Sequence, residues 1–198
     1  MREIAPVVNL SVDEYVASLS PLPRQVLAKI RKQKVDNKRP YPSTTLIDQS
    51  TLLTADIRAD ILDQVATLVD ENVFGRSEMC KQFADLLKRA LVYLKFQARA
   101  EIGTVVYYSG DIEIFRWEHA WVRIGREVID GNVDSLFENP AVPKSVNITP
   151  YWGPINSLPK DRKFCWSKAK VLPAGDEDVS KIWWPELQKW LDQNVVVR

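Results

Sequence analysis

The chain has 198 residues, 45% of them hydrophobic, and carries 27 Lys and Arg against 26 Asp and Glu with a single histidine. That is enough apolar material for one sizeable core without staples, and so even a charge balance offers no general attraction for nucleic acid or an anionic membrane. Two cysteines without a CxxC pair, beside one histidine, argue against a structural zinc site; reduced thiols and no metal or cofactor are expected.

The first residues, MREIAPVVNLSVDEY, lack the apolar core of a signal peptide, and no later stretch is apolar for long enough to span a bilayer. A soluble, cytoplasmic protein is expected. Ser11 and Glu14 have capping-box spacing, and Val16 and Leu19 continue one apolar face until Pro21 and Pro23 intervene. A second short helix is predicted over 25–31 through Val26, Leu27 and Ile30, followed by the charged, proline-punctuated KQKVDNKRPYPS. The basic run over 31–39 has no interleaved aromatics and reads as a solvated loop. Residues 1–50 are thus expected to form a helical arm, and 51–198 the main domain.

From Thr54, a residue able to cap a helix, Ile57, Ile61, Leu62, Val65, Leu68 and Val69 recur at helical spacing. FGRS interrupts the pattern. Ser77 then offers a cap for a second helix whose stripe is Phe83, Leu86, Leu87, Ala90, Leu91 and Leu94, with Cys80 in its first turn. Beyond Lys95 the stretches FQARAEIGTVVYYS and IEIFRWEHAWVRIG are rich in β-branched and aromatic types, and Gly110-Asp111 forms a turn between them, so two or three strands follow. The span 136–173 holds Pro140, Pro143, Pro150, Pro154, Pro159 and Pro173 with Tyr151, Trp152 and Trp166; it is expected to be irregular and to wall the site. A closing helix within WWPELQKWLDQN has Pro185 near its first turn and Leu187, Trp190 and Leu191 on one face, set to dock on the core.

If Gly125-Arg126 is a two-residue hairpin loop, Ile124 pairs with Glu127, and counting back sets Trp121 opposite Asp130 and His119 opposite Asn132. Side chains alternate along a strand, so His119, Trp121 and Arg123 share a face with Val128, Asp130 and Asn132. His119 and Asp130 become diagonal neighbours, with Cβ atoms roughly 7 Å apart. Asn132 is a second candidate for orienting the ring. A slip of one residue would turn Asp130 to the other face.

A thiol in the first turn of a helix is favoured as thiolate by the unpaired N–H groups there, and a neighbouring imidazolium lowers its pKa further. In that arrangement Cys80 is a nucleophile, His119 shuttles the proton, and Asp130 sets the tautomer. The Cys80 N–H supplies half of an oxyanion hole. Trp117, two residues before His119, is an auxiliary candidate as indole donor or apolar wall.

These segments resemble the transglutaminase-like superfamily of papain-like cysteine enzymes. SEMCKQFADLLKRALVYLKFQARAEIG is similar to its cysteine-helix segment, and EHAWVRIGREVIDG to its His and Asp segments, over residues 57–132. The resemblance implies an α+β fold with a papain-like/transglutaminase-like core, its cysteine helix packed on an antiparallel sheet, here with an N-terminal helical segment and a C-terminal helix added. It implies Cys80, His119 and Asp130 as nucleophile, base and orienting acid. The chain differs from the family's usual pattern in having SEM before the cysteine instead of a Gly-containing turn, and Gly-Asn after Asp130 instead of Pro-Thr.

Taken singly, a helix-face Cys is usually a small hydrophobe and a strand His is usually structural; the conjunction with a same-face Asp in this order makes the catalytic reading preferable. Cys165 has no comparable partner set and reads as structural. Asp111 and Glu113 read as a solvated strand end, Glu113 lying roughly 20 Å along the strand from His119, and Glu118 points to the opposite face. The expected function is cysteine-nucleophile acyl transfer on amide bonds of a protein or peptide substrate, as a peptidase or deamidase ahead of a transglutaminase. The alternative is a non-catalytic protein-interaction module on the same fold.

Overall fold

The computed structural model describes residues 53–70, 76, 78–138, 148–173 and 175–195. The expected capping box at Ser11, the helix over 25–31, the basic run over 31–39 and the proposed cap Ser77 lie outside the described residues. The first helix, α1 (Ala55–Asp70), starts as its sequence predicts, because the Thr54 hydroxyl accepts the Ile57 N–H at 3.3 Å. It buries Ile61, Leu62, Val65, Leu68 and Val69. It also buries Arg58, which apolar periodicity did not anticipate, with the guanidinium 5.8 Å from the centroid of the Trp152 ring.

Helix α2 (Cys80–Tyr93) begins at the cysteine itself, and its N-cap position is Met79, which makes no side-chain cap. Its stripe of Phe83, Leu86, Leu87, Ala90 and Leu91 is buried as expected. The helix ends where Lys95 adopts a left-handed φ of 69° and the Phe96 N–H turns back to the Leu91 carbonyl at 2.9 Å.

The strands are β1 (Ala98–Ser109), β2 (Ile112–Ile124), β3 (Glu127–Asp130), β4 (Tyr151–Pro154), β5 (Arg162–Phe164) and β6 (Lys170–Val171). They form one antiparallel sheet in the order β4-β3-β2-β1-β5, with β6 also on β1. Gly110 and Gly125 take positive φ values of 60° and 55° in the two tight turns, where a side chain would be strained. In its described residues the span 136–173 is more regular than its prolines suggested. It supplies three of the strands, because its extended pieces satisfy their backbone groups on β3 and β1. Last comes α3 (Trp184–Asn194), with Pro185 in its first turn, Leu187 and Leu191 buried, and a π-helical turn, Val179–Trp183, leading in.

The architecture is α+β, an antiparallel sheet with three helices among the described residues. Alternation along the strands divides the apolar side chains between two cores. On the helix side, Ala100, Ala120, Val122, Ile129 and Trp152 meet the stripes of all three helices. On the other side, Val105, Tyr107, Trp121, Val128, Tyr151 and Phe164 pack with Val133, Leu136 and Ile148.

After β3 the chain passes directly under α1 and α2. A Cβ built on Gly131 would lie 2.7 Å from Phe83 Cε1 and 2.8 Å from Leu62 Cδ2, both side chains fully packed. Gly131→Ala is expected to destabilise the protein by about 1–3 kcal/mol through overpacking, measured as a lowered midpoint in chemical denaturation; an unchanged midpoint would show that the helices can retreat.

Candidate active site

The β2–β3 turn has the register read from the sequence: Ile124 pairs with Glu127, Arg123 with Val128 and Val122 with Ile129. His119 and Asp130 therefore meet on one face. The Nε2 of His119 lies 2.8 Å from Asp130 Oδ1, with both side chains at most 2% exposed. The other carboxylate oxygen, Oδ2, accepts from Arg162 Nη1 at 2.6 Å. Arg162 is fully buried, and its remaining donors go to the Thr149 carbonyl at 2.5 Å and to Asp161 Oδ1 at 2.8 Å. The edge of the imidazole meets the buried Tyr107 ring, with centroids 6.1 Å apart.

Because Nε2 is committed to Asp130, Nδ1 is the nitrogen left for the thiol; it is buried and has no hydrogen-bond partner among the described residues. Cys80 occupies the first position of α2, where the N–H groups have no partner within the helix. Burial pushes its thiol pKa up, but the hydrogen bond and charge of His119, the backbone of Ala120 and the charge of Lys81 outweigh burial and bring it below the ordinary value. Burial likewise pushes His119 down, yet the charge and hydrogen bond of Asp130, together with the same from Cys80, raise it to about 9. For Asp130, burial raises the pKa, while the charges and hydrogen bonds of His119 and Arg162 hold the carboxyl below its usual range. The three shifts favour a thiolate facing an imidazolium.

The Ala120 contact follows from strand geometry. Ile124 closes the hairpin to Glu127, and main-chain groups alternate sides along β2, so the Ala120 N–H faces the side on which β3 lies. β3 ends at Asp130, and so that N–H is left for the Cys80 sulfur.

A second buried ion pair connects the cysteine side of the site to the aspartate side. Arg76, just before α2, grips Asp134 with both terminal nitrogens at 2.9 and 2.7 Å and Asp70 with Nε at 3.1 Å. Its carbonyl accepts the Asn132 side-chain N–H at 3.0 Å. No hydrogen bond joins Asn132 to the His119 ring among the described residues, so the contact that the register argument offered is not formed. The chain leaves the strand at Gly131 and enters the 3-10 turn Val133–Glu138, so alternation does not carry to Asn132. Trp117 is half-buried against Phe115, ring centroids 5.2 Å apart, and its buried indole N–H has no hydrogen-bond partner among the described residues.

The remaining sequence candidates are accounted for elsewhere. Glu118 pairs at the surface with Lys81 at 3.0 Å, and Glu113 with Arg116 at 2.9 Å. Cys165 is a free, half-buried thiol whose N–H bonds to the Thr104 carbonyl; the chain's single imidazole is already taken. Arg162, Arg76 and the Ala120 N–H are the contributors that sequence reading missed. No motif marks them, since Arg162 sits in the basic run KDRKF like any surface residue.

The chain matches no family model, no curated protein and no solved structure. Among the described residues no group of three or more His, Cys, Asp or Glu is placed to hold a metal ion, and no helix is long and apolar enough to cross a membrane.

Removing the Arg162 charge leaves Asp130 buried with a single counter-ion. Arg162→Met is expected to cost about 3–5 kcal/mol of unfolding free energy, the usual consequence of stranding a buried partner, as measured by denaturant titration. A loss within experimental error would mean that Asp130 is paired sufficiently by His119.

Proposed function

We propose that the chain is a cysteine-nucleophile acyl-transfer enzyme with a papain-like/transglutaminase-like core, acting on amide bonds of protein or peptide substrates in the cytoplasm. The observation that carries this reading is the buried relay in which Asp130 holds His119 Nε2, leaving Nδ1 for the Cys80 thiol at a helix N-terminus. A carboxylate on one ring nitrogen and a thiol on the other is the arrangement that moves a proton from nucleophile to leaving group.

In the proposed reaction the Cys80 thiolate attacks the amide carbonyl carbon and forms a C–S bond. The oxyanion is met by the Cys80 N–H. Collapse breaks the C–N bond as His119 gives its proton to the departing nitrogen, leaving a thioester on Cys80 and a neutral imidazole. His119 then takes a proton from the incoming acceptor, whose oxygen or nitrogen displaces the sulfur, and the thiolate–imidazolium pair returns. Water as acceptor makes the enzyme a peptidase or deamidase, the favoured outcome because it needs no second substrate; an amine makes it a transglutaminase.

Iodoacetamide near neutral pH is expected to modify Cys80 ahead of Cys165, with the advantage lost in His119→Ala, as read by peptide mass spectrometry. Equal, slow modification of both thiols would favour a non-catalytic interaction module. With iodoacetate, an anion drawn to the imidazolium, the Cys80 rate should rise at lower pH than for a free thiol, whose pKa is about 8.5. It should fall again as the pH passes about 9, where His119 loses its proton. A single rise centred on the free-thiol value would count against the ion pair.

A further inference from the structure

The backbone of β2 carries a second consequence. Even-numbered residues of β1 turn their main chains away from β2: the Ala100 and Thr104 carbonyls accept from Leu172 and Cys165, and the Tyr108 N–H donates to Asp161. The odd-numbered residues of β1 therefore bond to β2, and their partners there are also odd: Val105 faces Trp117 and Gly103 faces His119. The main chains of Arg116, Glu118 and Ala120 point to the opposite side of β2, where β3 reaches only as far as Val122. The start of α2 stands against this edge, with Lys81 paired to Glu118 at 3.0 Å and the Ala120 backbone helping to lower the Cys80 pKa. Among the described residues no backbone group pairs with Arg116 or Glu118.

We infer that this free edge of β2, running on from the Cys80 contact through Glu118 and Arg116, receives the substrate as an extended peptide strand. The inference rests on the acyl-transfer reading and specifies how its substrate is held. A strand laid on this edge lies beside the sulfur at one end, so main-chain pairing alone brings a peptide carbonyl to the nucleophile. The bulge in β2 falls at Ile114, before this stretch, so from Arg116 to Ala120 the edge is regular and free of proline, and its flanking charges are already neutralised, Glu118 by Lys81 and Arg116 by Glu113. The occupant is thus an uncharged backbone. Side chains of the bound strand alternate between the Lys81–Glu118 side and the aromatic side of Phe115 and Trp117.

The test uses the full chain and tetrapeptidyl acyloxymethyl ketones with mixed side chains. In these probes the Cys80 sulfur displaces the carboxylate leaving group and forms a C–S bond. The expected result is that the peptidyl probe modifies Cys80 at least about tenfold faster than the acetyl probe without a peptide, the effect of one or two net hydrogen bonds. Methylating alternate peptide nitrogens should erase the advantage, while methylating those between should not. Arg116→Pro, which removes an edge N–H but no β1 bond, should also erase it and leave the iodoacetamide rate unchanged. Equal rates for the peptidyl and acetyl probes, or indifference to N-methylation, would overturn the inference while leaving Cys80 a reactive nucleophile. If Cys80 is not alkylated ahead of Cys165, the acyl-transfer reading falls by itself. The edge is then judged in Cys80→Ala by hydrogen exchange: protection of the Arg116 and Glu118 amides only when unreactive tetrapeptides are added upholds docking. No protection, or protection already present without peptide because this chain or a second copy fills the edge, overturns it.

Discussion

A carboxylate with no access to water governs this site. Asp130 is fully buried, and an isolated ion in such a place would be costly enough to take up a proton instead. It remains charged because Arg162 and His119 each claim one oxygen. The two partners are not equivalent. A guanidinium stays protonated throughout the accessible pH range, so Arg162 balances Asp130 whether or not the imidazole is charged. A proton passing from Cys80 to His119 leaves that balance in place, and the charge of Asp130 and the attraction between thiolate and imidazolium offset the cost that burial sets on both charged forms.

The surrounding fold is arranged around that group. β3 is short, and its end at Asp130 both delivers the acid and releases the Ala120 N–H toward the sulfur. Gly131 lets the chain dive beneath Phe83 and Leu62, bringing the aspartate segment against the helices. Arg76 then joins the approach to α2 to the segment after β3 through Asp134 and Asn132. Nucleophile and acid thus belong to one buried network, although 50 residues of chain separate them. The Gly-Asn that follows Asp130 has a local physical role in both of its residues.

Much of this was legible in the sequence because it depends on short-range periodicity. The α1 and α2 stripes, the turns at Gly110 and Gly125, and the pairing of Ile124 with Glu127 all follow from residues close in the chain. The His119–Asp130 contact is a short extrapolation from that turn. Asn132 marks where the extrapolation stops, because alternation holds only while the backbone stays extended. The proline-rich span was harder to read. Its strands are two to four residues long, too short for a visible period, and they become strands by pairing with β3 and β1.

By itself the sequence determined the helices, the central hairpins and the face shared by the ring and the acid, since each is set by backbone geometry acting over a few residues. Tertiary structure alone decided that Arg162 completes the group. β5 and β3 are three places apart in the sheet, about 14 Å if it were flat at the usual strand spacing. Yet Arg162 touches Asp130 at 2.6 Å, its long side chain reaching across the two strands between them. That meeting depends on how the whole sheet is packed between its two cores, and no local pattern of residues encodes it.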